Sequence, residues 1–187
     1  MGVNLKSKNT HEDTKPVIDG KVLLRVDLVR HAESKKNVVH LPWIPEEELD
    51  TLTAAGQKQA EAIGNFLKDK GIVVILSSPA GRTRETAKAI GQVIGFKTGY
   101  EVEKAFASLR GGNIRMEIRF HGPGARSNGH WDRIHCPEGG ESLSDGEFRA
   151  TGVLKKLVEK FPGRIGVIVS HTDICAALLG YPYAQTE

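Results

Sequence analysis

A chain of 187 residues, 39% hydrophobic and 26% charged, is long enough for one domain with a real core and reads as an ordinary soluble protein. Its net charge of +3, from 26 basic and 23 acidic residues, is too mild to argue for nucleic acid but suits an anionic ligand. No apolar run of about 18 residues is present to span a membrane. The two cysteines, Cys136 and Cys175, are too few for a disulfide framework, so free thiols and a cytoplasmic location are expected.

The opening MGVNLKSKNTHEDTK lacks the apolar core of a signal peptide, and Lys6 stands where myristoylation wants Ser or Thr. Residues 1–19 are polar and aperiodic, which predicts a loose tail before a single domain over 20–187. Val22 to Val29 reads as a strand. Residues 53–70 place Ala60, Ile63 and Leu67 at helical spacing and stop at Gly71, a residue suited to the left-handed cap. Gly71 to Ser77 is a short apolar run of the kind found in a strand covered on both faces. A helix over about 82–94 follows, with Ala87, Ile90 and Ile94 on one side and Gly95 closing it.

The stretch from Leu109 to Gly140 breaks the pattern: it is rich in glycine, carries Arg110, Arg115, Arg119, Arg126 and Arg133, and sustains no period. A loop of that length in a compact domain is usually functional or mobile. Residues 144–161 predict a helix, with Ser144 and Glu147 as a capping box and Leu154, Leu157, Val158 and Phe161 as its apolar stripe. Arg164 to Ser170 reads as another buried strand, and a short helix follows His171. The alternation predicts an α/β three-layer sandwich: one mostly parallel central sheet with helices on both faces.

Open parallel sheets bind ligands beyond the carboxyl ends of their strands. Three such ends carry reactive groups: Arg30-His31, then Ser77-Ser78-Pro79 leading to Arg82, then Ser170-His171. Taken singly, an Arg-His pair is ordinarily a surface turn, Arg82 a solvated helix residue and His171 a capped or core histidine. Together, on neighbouring strands, two guanidinium groups could fork onto one phosphoryl group. A neutral imidazole beside them is a competent nucleophile towards phosphorus, and a second could offset charge in the transition state. With arginines and histidine supplying the positive field, this chemistry needs no metal.

The block LVRHAES, with Asn37 three residues beyond it, resembles the signature of the histidine phosphatase superfamily, in its phosphoglycerate mutase-like branch of RHA-type phosphatases. LTAAGQKQA (52–60), SSPAGRTRETA (77–87), PEGGESL (137–143) and VSHTD (169–173) are similar to that family's later blocks, in the same order over about 24–180. The resemblance implies an α/β sandwich in which His31 is phosphorylated, Arg30, Arg82 and His171 clamp the phosphoryl group, and Asn37 and the backbone N–H of Thr172 add hydrogen bonds. It implies an anionic, phosphorylated substrate and no metal or other cofactor; nucleic acid and membranes are not expected as partners, and oligomeric state is not legible.

Three features depart from that family's pattern. Ala32 and Thr172 stand where glycine is usual, and the window Phe106 to Asn113, where the family generally places an acid that protonates the leaving group, holds no carboxylate. Glu103 lies slightly early, Glu117 slightly late, and Asp173 sits two residues after His171; none is assigned as the donor. The family commonly continues into another strand or hairpin, so a simplified C-terminal edge is expected. His130, His135 and Cys136 fit no standard zinc spacing, and the glycines form no P-loop. The loop arginines are either a solvated surface or a lid hinged at Gly111-Gly112 and Gly139-Gly140. In the family that the chain resembles, mutases carry a longer insertion between the second arginine and the second histidine, so the resemblance, with the short separation of Arg82 and His171, implies a phosphatase over a mutase; a weakly active phosphate-binding module is the alternative from another class.

Overall fold

The computed structural model describes residues 17–18, 21–39, 43–112, 136 and 138–180. Two short strands, β1 (Val17–Ile18) and β2 (Lys21–Val22), form an antiparallel ladder at the start. The main sheet comprises β3 (Arg25–Arg30), β4 (Ile72–Ser77), β5 (Glu101–Val102) and β6 (Ile165–Ser170). Its spatial order is β3-β6-β4-β5 and every pairing is parallel. The last strand of the sequence is thus inserted between the first two long ones, with Arg30 opposite Ser170 and Ser77 opposite Val169. That insertion brings three carboxyl ends side by side.

Between β3 and β4 lie two one-turn helices, α1 (Lys35–Val38) and α2 (Glu46–Leu49), and then α3 (Ala54–Leu67). Helix α4 (Gly81–Ile94) joins β4 to β5, and a 3₁₀ turn (Lys104–Phe106) follows β5. Helix α5 (Leu143–Lys160) leads into β6, and α6 (Thr172–Leu179) leaves it. No helix among the described residues is long and apolar enough to cross a membrane.

Because side chains alternate across a strand, each central strand feeds two cores. Val74, Leu76 and Ile168 pack with Leu143, Leu157, Ile174 and Ala177 of α5 and α6. Ile75, Val167 and Val169 pack on the opposite face with Leu67, Ala87 and Ile90 of α3 and α4. This is the three-layer α/β arrangement that the alternation of elements implies, and the stripes at Leu67, Ile90 and Leu157 supply its inner faces.

The differences from the sequence reading are local. Helix α5 starts earlier: its N-cap is Ser142, with Asp145 completing the capping box in place of Ser144 and Glu147. Both serines have an acid three residues on; Leu143, 1% exposed, decides between them because it must enter the core as the first helical residue. Helices α1 and α2, strand β5 and the 3₁₀ turn are too short to show a period. Of the stretch read as a tail, only Val17–Ile18 is described, and it is paired with Lys21–Val22.

Helix α3 is fitted to the segment after β3 by a glycine. The Thr53 side chain caps the helix by accepting the Gly56 N–H at 2.9 Å, while the Thr53 N–H donates to the Glu33 carbonyl at 3.1 Å. A Cβ on Gly56 would lie 1.9 Å from that carbonyl oxygen. Gly56→Ala is therefore expected to destabilise the protein by about 1–3 kcal/mol in urea unfolding. Gly152→Ala, within α5 and with open space around the added methyl, is expected to stabilise it by about 0.5–1 kcal/mol.

Candidate active site

His31 is the first residue beyond β3, and its N–H donates to the Ser170 carbonyl at 2.9 Å, extending the ladder by one rung. Its ring Nδ1 lies 2.8 Å from the Ala32 carbonyl oxygen. A carbonyl can only accept, so Nδ1 carries the proton and Nε2 is left with its lone pair. The loop is braced around that ring. The Ala32 N–H donates to Thr86 Oγ1 at 3.1 Å, and Thr86 Oγ1 donates to the Arg82 carbonyl at 2.7 Å, coupling the loop to α4. The Glu33 N–H donates to Gln59 Oε1 and the Glu33 carboxylate accepts from Thr53 Oγ1, coupling it to α3.

Arg82 sits in the first turn of α4, held by Asp50 just past the end of α2. One Asp50 oxygen pairs with the Arg82 guanidinium, and the other accepts the Gly81 N–H at 2.5 Å. Asp50 therefore serves both as an anion at a helix N-terminus and as a counter-ion. Only glycine fits at 81, where a Cβ would come within 2.3 Å of the Asp50 carbonyl oxygen. The other end of the guanidinium, NH2, donates to His171 Nδ1 at 3.1 Å. Arginine has no acceptor, so His171 Nδ1 must be unprotonated. The proton of the neutral ring is then on Nε2, which donates to Ser78 Oγ at 2.8 Å.

The two histidines, ring centroids 5.5 Å apart and edge to face, are thus held in opposite tautomers. Both resist protonation. For His31 burial is the main cause, reinforced by the charges of Arg82 and Arg30 and opposed by the Ala32 carbonyl and Asp50. For His171 burial, followed by the adjacent Arg82 charge, lowers the value to about 4, with Asp173 acting in the other direction. At neutral pH the site offers an unprotonated imidazole beside two guanidinium groups: a nucleophile in a positive field.

Arg30 ends β3 with an exposed side chain that makes no hydrogen bond or ion pair among the described residues. Asn37 is exposed on α1; its Oδ1 accepts both the N–H and the hydroxyl of Ser34, each at 2.9 Å, which shapes the turn out of the loop. Thr172 opens α6, and its backbone N–H, like any in a first turn, has no intrahelical acceptor.

The carboxylates considered as proton donors have other work. Asp173 accepts the Ser108 hydroxyl at 2.6 Å, the Leu109 N–H at 2.8 Å and the Ile174 N–H at 2.8 Å, pinning the segment after the 3₁₀ turn to α6. Glu103 caps that 3₁₀ turn through the Ala105 N–H at 2.9 Å. Glu117 lies outside the described residues, as do Arg115, Arg119, Arg126, Arg133, His130 and His135. Gly111 and Gly140 pair as a single bridge, so the two glycine pairs meet at the base of the intervening segment. Among the described residues no three His, Cys, Asp or Glu side chains gather closely enough to hold a metal ion.

Sequence reasoning assigned no role to Asp50 or to the pair Glu141–Arg149, and marked Ser78 only as a strand end. Glu141 is buried; it pairs with Arg149 Nε at 3.1 Å and accepts the Arg110 N–H at 3.0 Å. Arg149 in turn donates to the carbonyls of Ala105, at 2.5 Å, and Ala107, at 2.6 Å. Ser78 had a signal, since it ends a strand beside Arg82. Glu141 lies in the PEGGESL block, but nothing there marked its partner Arg149, and Asp50 had no signal, because a single acid outside a periodic pattern looks like solvated surface.

Residues 26–184 match the family model described as "Histidine phosphatase superfamily (branch 1)". A Citrobacter koseri protein named "Probable phosphoglycerate mutase GpmB" is 32% identical over 170 residues, covering 86% of this chain and 77% of that one. Its namesake from Yersinia enterocolitica is 37% identical over 75 residues, so the matched part spans about a third of that relative, 34% of its length. Among solved structures, mycobacterial glucosyl-3-phosphoglycerate phosphatase Rv2419c, in complex with VO3, superposes with a TM-score of 0.65 at 28% identity, over 82% of this chain and 77% of the other.

The depressed histidine values have a consequence for stability. Between the ordinary 6.5 and about 4, where His171 titrates in the fold, the unfolded chain binds the proton that the folded one refuses. This contribution to stability is complete above about pH 6.5, falls as the pH is lowered towards about 4, and levels off below it. Urea midpoints measured over that range should fall less steeply for His171→Asn than for the unsubstituted protein.

Proposed function

This chain belongs to the histidine phosphatase superfamily, branch 1, and from that premise we propose that it is a metal-independent phosphatase that works through a phosphohistidine on His31. The observation that carries this reading is the Nδ1–H bond of His31 to the Ala32 carbonyl, which leaves Nε2 with a lone pair beside Arg82 and His171. In the first step Nε2 attacks phosphorus in line, the bond to the leaving oxygen breaks, and the phosphoryl group is carried on His31. In the second step water attacks that phosphorus, the N–P bond breaks, and phosphate is released.

Arg30 and Arg82 supply the positive charge that spreads over the transferring oxygens. Asn37, with its amide Nδ2 hydrogens, and the Thr172 N–H at the start of α6 add neutral donors. The negative charges felt most by the two histidines are those of Asp50 and Asp173, and both carboxylates are already committed to other donors. Activated phosphates should accordingly turn over faster than alkyl phosphates, whose leaving oxygen needs a proton. The substrate is an anionic phosphate compound, and the setting is the cytoplasm.

A mutase is the second reading, favoured by the name of the Citrobacter relative. The names of that protein and of the mycobacterial phosphatase both contain phosphoglycerate. Phosphoglycerates and their glycosides therefore form the first substrate panel: release of inorganic phosphate supports hydrolysis, and interconversion of 2- and 3-phosphoglycerate without release supports the mutase.

The primary test is hydrolysis of an activated aryl phosphate in the presence of EDTA. The expected result is turnover unaffected by the chelator and reduced by at least about 10³-fold in His31→Ala. Rapid quenching should trap a protein-bound phosphate that is labile in acid and stable in alkali, as a phosphoramidate is. Phosphate binding without any turnover would instead mark a binding module.

A further inference from the structure

The opposite tautomers of the two histidines have different consequences for a phosphoryl group. His31 presents a lone pair, as a nucleophile must. His171 in its neutral state has no donor to give: its Nε2–H is taken by the buried Ser78 hydroxyl at 2.8 Å, and its Nδ1 is an acceptor held by Arg82 at 3.1 Å. A dianionic phosphoryl group also consists of acceptors, so a neutral His171 would meet it lone pair to lone pair. Only a proton on Nδ1 turns this ring into a ligand for the group.

We propose that a dianionic phosphoryl group enters the site together with one proton, which His171 takes up at Nδ1 as Arg82 turns its amino group from that nitrogen to the phosphoryl oxygens. This rests on the phosphoryl-transfer reading above and specifies the protonation state in which the site takes its ligand. The proton comes from solvent, forms one N–H bond on Nδ1 without changing any other covalent bond, and leaves when phosphate departs.

The surroundings of His171 support the exchange. The charges that act on it come from Arg82 on α4, His31 after β3, Asp50 after α2 and Asp173 on α6. Burial and the Arg82 charge favour the neutral His171 imidazole. An entering dianion reverses that balance: it draws off the guanidinium and puts negative charge beside the ring. Asp50, bonded to the far end of Arg82 and to the Gly81 N–H, keeps the guanidinium in place while its other end changes partner.

The test uses the full chain and sulfate, a tetrahedral dianion with no proton of its own near neutral pH. Calorimetric titration at about pH 6, in buffers of different ionisation enthalpy, counts the protons taken up per anion bound. The site-specific heat is the part lost in Arg82→Ala. The expected result is uptake of at least about half a proton in both the unsubstituted protein and His31→Ala, with Kd rising up to about tenfold per pH unit towards pH 8. His171→Asn should bind sulfate without uptake and without that pH dependence.

Binding without proton uptake overturns the inference and leaves the phosphatase reading standing. Uptake that disappears in His31→Ala assigns the proton to His31 and overturns it as well. If neither sulfate nor inorganic phosphate binds at Arg82, the phosphoryl-site reading itself fails.

Discussion

A guanidinium group can donate hydrogen bonds and cannot accept them, and Arg82 is placed so that this one property orders the site. Facing Asp50 at one end, it has its counter-ion. Facing His171 at the other, it dictates that Nδ1 carry a lone pair and therefore that Nε2 carry the proton given to Ser78. The Ala32 carbonyl imposes the opposite choice on His31. Two chemically identical side chains thus acquire different roles from two partners, one that only donates and one that only accepts. Replacing either partner by a group that does both would leave the tautomers undetermined.

The blocks of sequence that surround the histidines are largely braces. Thr53, Gly56 and Gln59, in the block LTAAGQKQA, fasten the loop after β3 to α3 through the backbone and carboxylate of Glu33. In SSPAGRTRETA, Ser78 anchors His171, Gly81 admits the close approach of Asp50, and Thr86 ties α4 to Ala32. Glu141, from PEGGESL, joins Arg149 in holding Ala105, Ala107 and Arg110. A reactive imidazole must be fixed to fractions of an ångström to be useful, and most of the polar side chains here are spent on that.

Burial does double duty. Enclosing His171 and half-enclosing His31 keeps both rings unprotonated, which leaves His31 Nε2 its lone pair, and the same burial lowers stability in acid. The polar groups packed under the site, Ser77, Thr83, Thr86 and Ser170, are all inaccessible to water and all hydrogen-bonded, so they contribute order without an unmet desolvation cost.

The sequence by itself determined the class of fold, since apolar runs alternating with amphipathic stripes can bury their surfaces only as a parallel sheet with helices on both faces. It also determined which side chains stand at strand ends: Arg30, His31, Ser78 and His171 follow directly from where the apolar runs stop. The order of the strands was beyond it, because nothing in the local pattern says that β6 enters between β3 and β4, and that insertion is what makes His171 a neighbour of His31. Tertiary structure alone decided the work of Asp50, Glu141 and Asp173, because each accepts a hydrogen bond from a group 31 to 65 residues away along the chain. It also decided the tautomers, which depend on the hydrogen-bonding partner that the fold presents to each nitrogen rather than on the histidine itself.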